Sequence, residues 1–189
     1  MNRGEGAKQG ASPVFEPETP WVKYRRLGWI AGSVILLDQV TKWIILERLD
    51  LYHAIPVVPG LFNITHVQNP GGAFGFLAQQ SPMVRGIVFL LMSFLAVCLI
   101  FWFYRKTPST HRWLAVGFAL IFGGAIGNLI DRVRFGRVVD FLDFYIGTWH
   151  WPAFNVSDSA ITTGIAIFLL HVVSVRMPEL RHCSVDGSI

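Results

Sequence analysis

Charge is what this 189-residue chain has least of. Asp, Glu, Lys and Arg together make up 15% of it, against roughly 25% in an average soluble domain, which argues against an ordinary water-soluble enzyme. Cysteine is scarce as well: Cys98 and Cys183 cannot build a disulfide framework or a zinc site, and Cys98, inside an apolar run, reads as a small core residue. The chain has no G-x-S-x-G, no P-loop and no H-E-x-x-H. Its histidines, His53, His66, His111, His150, His171 and His182, lack ligand spacing, so no metal and no other cofactor is expected. The formal charge of +4 does not point to nucleic acid, because Lys and Arg flank apolar runs instead of forming a basic stripe with interleaved aromatics.

What fills the chain is apolar sequence, 52% of it, gathered into runs too long for a soluble core of this size. A bilayer core of roughly 30 Å needs about 20 helical residues. Leu27 to Leu46, Met83 to Tyr104, Trp113 to Ile130 and Ser159 to Val175 meet that need, predicting an all-α membrane protein with four transmembrane helices and both termini on one side. Lys and Arg favour the cytoplasmic flank. Arg3, Lys8, Lys23, Arg25, Arg26, Arg105, Lys106, Arg112, Arg176 and Arg181 lie on one side, against Arg48, Arg85, Arg132, Arg134 and Arg137 on the other. Both termini are therefore expected in the cytoplasm, with loops 47–82 and 131–158 outside. Residues 1–20 read as a disordered tail, 21–176 as a single integral domain and 177–189 as a cytoplasmic tail. The first span is read as a retained anchor, since no A-x-A-like site follows it. Within loop 47–82, the β-favouring pieces IPVV and LFNITHV, punctuated by Pro59-Gly60 and Asn69-Pro70-Gly71-Gly72, predict a small β-cradle at the membrane surface. Trp43, Trp149 and Trp151 fall near the expected outer interface, where amphipathic rings anchor.

Ionisable groups at membrane depth cost about 2.5–3.5 kcal/mol each on insertion scales, so each needs a reason. Asp38 and Lys42 are four apart on one helix and can neutralise each other. In the third span Gly123 and Gly127 form a small-xxx-small step, while Gly124, Asn128 and Arg132, spaced by four, share a face. Asp131 beside Arg132 reads equally as a charge at a helix end, and that leaves Asn128 unexplained. Two acids stand in apolar surroundings in the second outer loop. Asp140, between Val138-Val139 and Phe141-Leu142, is placed for desolvation and a raised pKa. Asp158 falls where the fourth span begins and can stay ionised near its positive end. Two carboxyls held in different protonation states are what an aspartic hydrolase uses to activate water. Taken singly, Asp140 is also an ordinary loop charge and Asp158 an ordinary helix N-cap.

Asp38-Gln39-x-x-Lys42, Asn69-x-Gly71-x-Ala73-Phe74, Gly127-Asn128-Leu129-Ile130-Asp131-Arg132, Val138-Val139-Asp140-Phe141 and Phe154-Asn155-x-x-Asp158-Ser159 together resemble the lipoprotein signal peptidase (signal peptidase II) family. The resemblance implies a multi-pass aspartic endopeptidase of the bacterial inner membrane, working without metal at the periplasmic side. Its substrates would be prolipoproteins whose cysteine already carries diacylglycerol, cut just before that cysteine. By motif position the catalytic pair falls on Asp140 and Asp158. Asn69, Gly71, Asn128, Arg132 and Asn155 fall on substrate-binding or lining positions, and Asp38 and Lys42 on a supporting pair. The family also implies membrane lipids as surroundings, sensitivity to the cyclic peptide globomycin, and a monomer. Ser157 and Gly72 stand where the family more often has alanine. A competing reading, a small proton-coupled transporter, would route protons through Asp38, Lys42 and His171.

Overall fold

The computed structural model describes residues 19–71 and 79–183, with side chains described through Ser174. The expected tail before residue 19, the Gly72, Ala73 and Phe74 portion of the turn motif, and residues 184–189 lie outside the described residues.

Four helices run through it: α1 (Pro20–Arg48), α2 (Pro82–Lys106), α3 (Arg112–Phe135) and α4 (Val156–Cys183). All four are long and apolar enough to cross a membrane. Each extends past the boundary set by its apolar run, because hydropathy registers the greasy stretch while Pro20 and Pro82 in the first turns of α1 and α2 start the helices earlier. The fourth helix also continues beyond Val175, through residues expected to form a tail.

Helix α3 is the central element and packs against α1, α2 and α4. Small residues make that possible. A Cβ on Gly123 would press on Ala31 and Val34 of α1, and a Cβ on Gly124 would strike the Ser157 carbonyl of α4. The expected small-residue face is thus where two neighbours approach. On α1 the buried stripe Leu27, Ala31, Val34, Asp38, Lys42 and Ile45 recurs at three- and four-residue steps and carries its charges inward. Helix α2 differs: Tyr104 is its only fully buried residue, Ile100 and Phe101 pack partly buried on the core, and much of the remainder is exposed. Cys98 lies on α2 and is exposed, which corrects its reading as a core residue; an apolar run at membrane depth has no polar side to face outward.

The sheet is larger than the first loop alone would make. Strands β1 (Ala54–Val58) and β2 (Phe62–Asn69) form a hairpin, and the second loop adds β3 (Val138–Ile146) and β4 (Trp149–His150) in the order β1-β2-β3-β4. All pairings are antiparallel. The run VVDFL hides its strand character because both of its faces are covered. Val139 and Phe141 pack on Ile45 of α1, so alternation along β3 turns Asp140 to the opposite face. Register also places Asn63 across from Asp143, where the Asn63 amide and the His150 ring both meet the Asp143 carboxyl at 2.8–3.1 Å.

Candidate active site

Besides Asp143, the cradle end of the bundle holds two pairs of buried or half-buried aspartates, Asp38 with Asp131 and Asp140 with Asp158. The first set is dry. Lys42 Nζ makes ion pairs of 2.9 Å with both Asp38 and Asp131 and donates to Asn128 Oδ1 at 3.0 Å, so each ammonium proton has a partner. Gln39 adds donor contacts to Asp131, Asp38 and the Gly127 carbonyl. Backbone amides complete the set: Ser157 N–H donates to Asp38 at 2.9 Å and Val139 N–H to Asp131 at 3.1 Å. Asp131 is therefore no exposed charge at a helix end; α3 continues to Phe135, and Asp131 sits 1% exposed inside. By holding Val139 it ties the start of β3 to α3.

Asn128 carries this order outward. Its Oδ1 is claimed by Lys42, so its Nδ2 must face the other way, donating to Asp158 Oδ1 at 2.8 Å. Asn155 does the same work from α4's first turn. Its side chain donates to Asp140 Oδ1 at 2.7 Å, while its Oδ1 accepts from Asp158 N–H and Asp158 Oδ2 accepts from Asn155 N–H. This reciprocal pair is a capping box, which makes Asn155 the N-cap and moves Asp158 to the third helical position. Asp158 is thus not the cap expected of it, and one carboxyl oxygen is left to Asn128.

Asn69 ends β2 and completes the set. Its Oδ1 accepts from Gly71 N–H at 2.9 Å, which directs its Nδ2 to Asp140 Oδ2 at 3.1 Å. Gly71 has φ +88°, and a Cβ there would run into the Phe89 ring, so this turn needs glycine. Three asparagines from three elements thereby supply the donors for two carboxyls. Neither Asp140 nor Asp158 has a cation within ion-pair distance among the described residues. Burial lifts Asp140 to about 7, and the negative charge of Asp158 adds to the rise; hydrogen bonds from Asn69 and Asn155 and the charge of Lys42 oppose it. Asp140, Asp158 and Asn69 line one open cavity of about 620 Å³, walled by Trp151, Phe154 and Thr162, a size suited to a ligand.

The sequence comparison gives the family. The profile of signal peptidase (SPase) II matches residues 30–174. The chain belongs to the signal peptidase II family. It is 54% identical over 155 residues to a protein named lipoprotein signal peptidase from Desulforapulum autotrophicum, covering 82% of this chain and 96% of that one. With the lipoprotein signal peptidase of Syntrophus aciditrophicus it shares 44% over 143 residues, 76% of this chain and 89% of the relative. A solved bacterial membrane enzyme, determined at 2.3 Å, superimposes with a TM-score of 0.72 at 29% identity over 86% of this chain and 94% of that one. Family membership makes the chain a protease of the membrane, and the two polar sets lie within the matched region.

Of the residues singled out in the sequence, Asp38, Lys42, Asn69, Gly71, Asn128, Asn155, Asp140 and Asp158 come together here. Arg132 stands apart: it donates to the Asn128 carbonyl at 3.2 Å and lines a neighbouring cavity rather than the one holding the two carboxyls. Gln39 and Asp131 stand in the quoted motifs, but their place in the network was not assigned from sequence. Gln39 sits between Asp38 and Val40 without apolar spacing of its own, and its polar type at membrane depth was the available signal. The proton relay of the transporter reading is broken, since His171 packs edge-on to His111 at 4.8 Å, and His111 precedes Asn128 by about 25 Å of helix.

Proposed function

We propose that this signal peptidase II homologue is an aspartic endopeptidase that removes signal peptides from diacylglyceryl-modified prolipoproteins, cutting just before the lipidated cysteine. Asp158 acts as the base and Asp140 as the acid. The observation that carries the reading is one cavity lined by two carboxyls whose hydrogen-bond partners are amides and which, among the described residues, have no cation within ion-pair distance. Asp158 takes a proton from water, whose oxygen bonds to the scissile carbonyl carbon, and Asp140 gives its proton to the carbonyl oxygen. Collapse of the tetrahedral diol breaks the C–N bond, the cysteine nitrogen takes up a proton, and the carboxyls return to their starting states. Burial lifts Asp140 to about 7, so it retains its proton up to neutral pH as this division of labour requires.

Position supports the substrate class. The cavity lies where α4 and the strands meet, at one end of the four helices, so a signal helix in the bilayer brings its C-terminal end to the carboxyls while two acyl chains remain in lipid. Asn69 and Asn155 then have amide groups near an extended peptide, which needs partners where water is scarce. The site faces the outside of the inner membrane, the chain works as a monomer, and a globomycin-type cyclic peptide fills the same cavity. The test is cleavage of a diacylglyceryl-modified prolipoprotein by the purified protein, with the unlipidated precursor as control. Asp140→Asn and Asp158→Asn should each lose on the order of 10³-fold or more in rate, while unlipidated precursor stays intact. Near wild-type cleavage by either variant overturns the dyad, and equal cleavage of both precursors overturns the substrate class.

A further inference from the structure

The cradle end carries few basic residues, yet three of its arginines line a second cavity of about 630 Å³. Arg85 comes from the first turn of α2, Arg132 from the last turns of α3, and Arg137 from the turn leading into β3. Among the described residues no carboxylate lines this space. Arg137 rests on Gln68 Oε1 at 3.1 Å and Arg132 on a backbone carbonyl, both neutral acceptors. Asp158, Asp140 and Asp131 act electrostatically on Arg132, whereas no ion pair is formed by Arg85 or Arg137 among the described residues.

Guanidinium groups brought together without an acid repel one another, and an anion that bridges them removes that cost. Their planar forks match phosphate oxygens. The other walls are apolar: Ile87 and Leu90 of α2 and Phe135 of α3. Ile87 is exposed on the face that α2 turns away from the bundle, so the cavity opens directly onto a surface made for lipid chains. A free phosphate would use the guanidinium groups alone; a phosphate carrying acyl chains uses both walls.

We propose that this cavity binds the phosphodiester headgroup of an anionic phospholipid, with Arg85, Arg132 and Arg137 around the phosphate and the acyl chains running along Ile87 and Leu90. A neighbouring anionic lipid is thereby fixed beside the catalytic cavity, independently of which substrate that cavity takes. The choline ammonium of a zwitterionic lipid would enter the same positive field and be disfavoured.

The experiment is native mass spectrometry of the full chain in neutral detergent, titrated with phosphatidylglycerol and phosphatidylcholine of matched chain length, and separately with inorganic phosphate. The wild type should retain phosphatidylglycerol about tenfold better, the equivalent of one charge-assisted contact. Arg85→Gln with Arg137→Gln should erase that preference, and Arg85→Lys with Arg137→Lys should keep most of it. If the double Gln variant does not fold, Arg85→Gln alone reads the same contrast. Equal retention of both lipids by the wild type overturns the proposal, as does a preference that survives the Gln substitutions. Retention of inorganic phosphate without any lipid preference overturns the lipid source.

Discussion

Asp38 and Asp131 are buried as deeply as Asp140, at 0%, 1% and 2% exposure, yet their surroundings differ in kind. The first two share Lys42, and a glutamine and two backbone amides cover what remains. Asp140 and Asp158 share no lysine; they receive amide hydrogen bonds and look into a cavity. Burial beside a shared lysine ties carboxyls into a structural, inert network, whereas burial without one leaves a carboxyl such as Asp140 ready to hold or release a proton near neutral pH. The inert set still serves the reactive one, because the Lys42 contact fixes which end of the Asn128 amide meets Asp158.

The strongest test of this contrast removes the counter-ion. Lys42→Met leaves two buried carboxylates without their cation, and loss of a buried partner typically costs 3–5 kcal/mol. Thermal unfolding in detergent should show a large drop, with restoration when Asp38→Asn and Asp131→Asn are added. An unchanged midpoint would mean that the two sets do not differ as described.

Gly127 sharpens the boundary between the sets. A Cβ there would collide with Ser157 Oγ and the Asp38 carboxyl, so Gly127→Ala should destabilise by about 1–3 kcal/mol and push α4 off α3. The same unfolding measurement checks it, and wild-type stability would show that the helices have room to spare.

Proton uptake gives a smaller, graded effect. Asp140 moves from an ordinary 3.8 to about 7 on folding, so the folded chain holds this proton more tightly than the unfolded one. Its contribution to stability is full below the ordinary value and declines as pH rises toward 7. Cleavage needs the same proton, so kcat/KM should fall about tenfold per pH unit above 7. A flat profile from pH 6 to 9, measured where chemistry limits the rate, would count against Asp140 as the acid.

Ser157 offers the mildest test. Among the described residues its Oγ is the buried side-chain atom without a hydrogen-bond partner, a state that costs about 1–3 kcal/mol. Ser157→Ala should therefore raise the unfolding midpoint, by about 1 kcal/mol in stability, and leave cleavage unchanged. A lower midpoint would mean that the hydroxyl has a partner after all.

Much of this was legible in the sequence where chemistry and spacing coincide. Asp38 and Lys42 at i and i+4, the small-residue face of α3 and the β-prone first loop each follow from local rules, and the motif set named the family. Strand β3 was not legible: Val138-Val139-Asp140-Phe141 is covered on both faces, so alternation between polar and apolar residues never shows. Asp158 was misplaced by one role because capping depends on which side chain returns to the backbone, and Asn155 does so first. Convergence of residues from β2, β3, α3 and α4 is a property of the fold, and no single stretch of sequence contains it.

What the rest depends on is that burial lets the Asp140 carboxyl hold its proton up to about pH 7. Infrared difference spectroscopy across a pH titration reads the protonated carboxyl band directly. The band should be lost with a midpoint near 7 in the wild type and be absent in Asp140→Asn. A band that persists in Asp140→Asn, or a wild type without a band that titrates near 7, would contradict that claim.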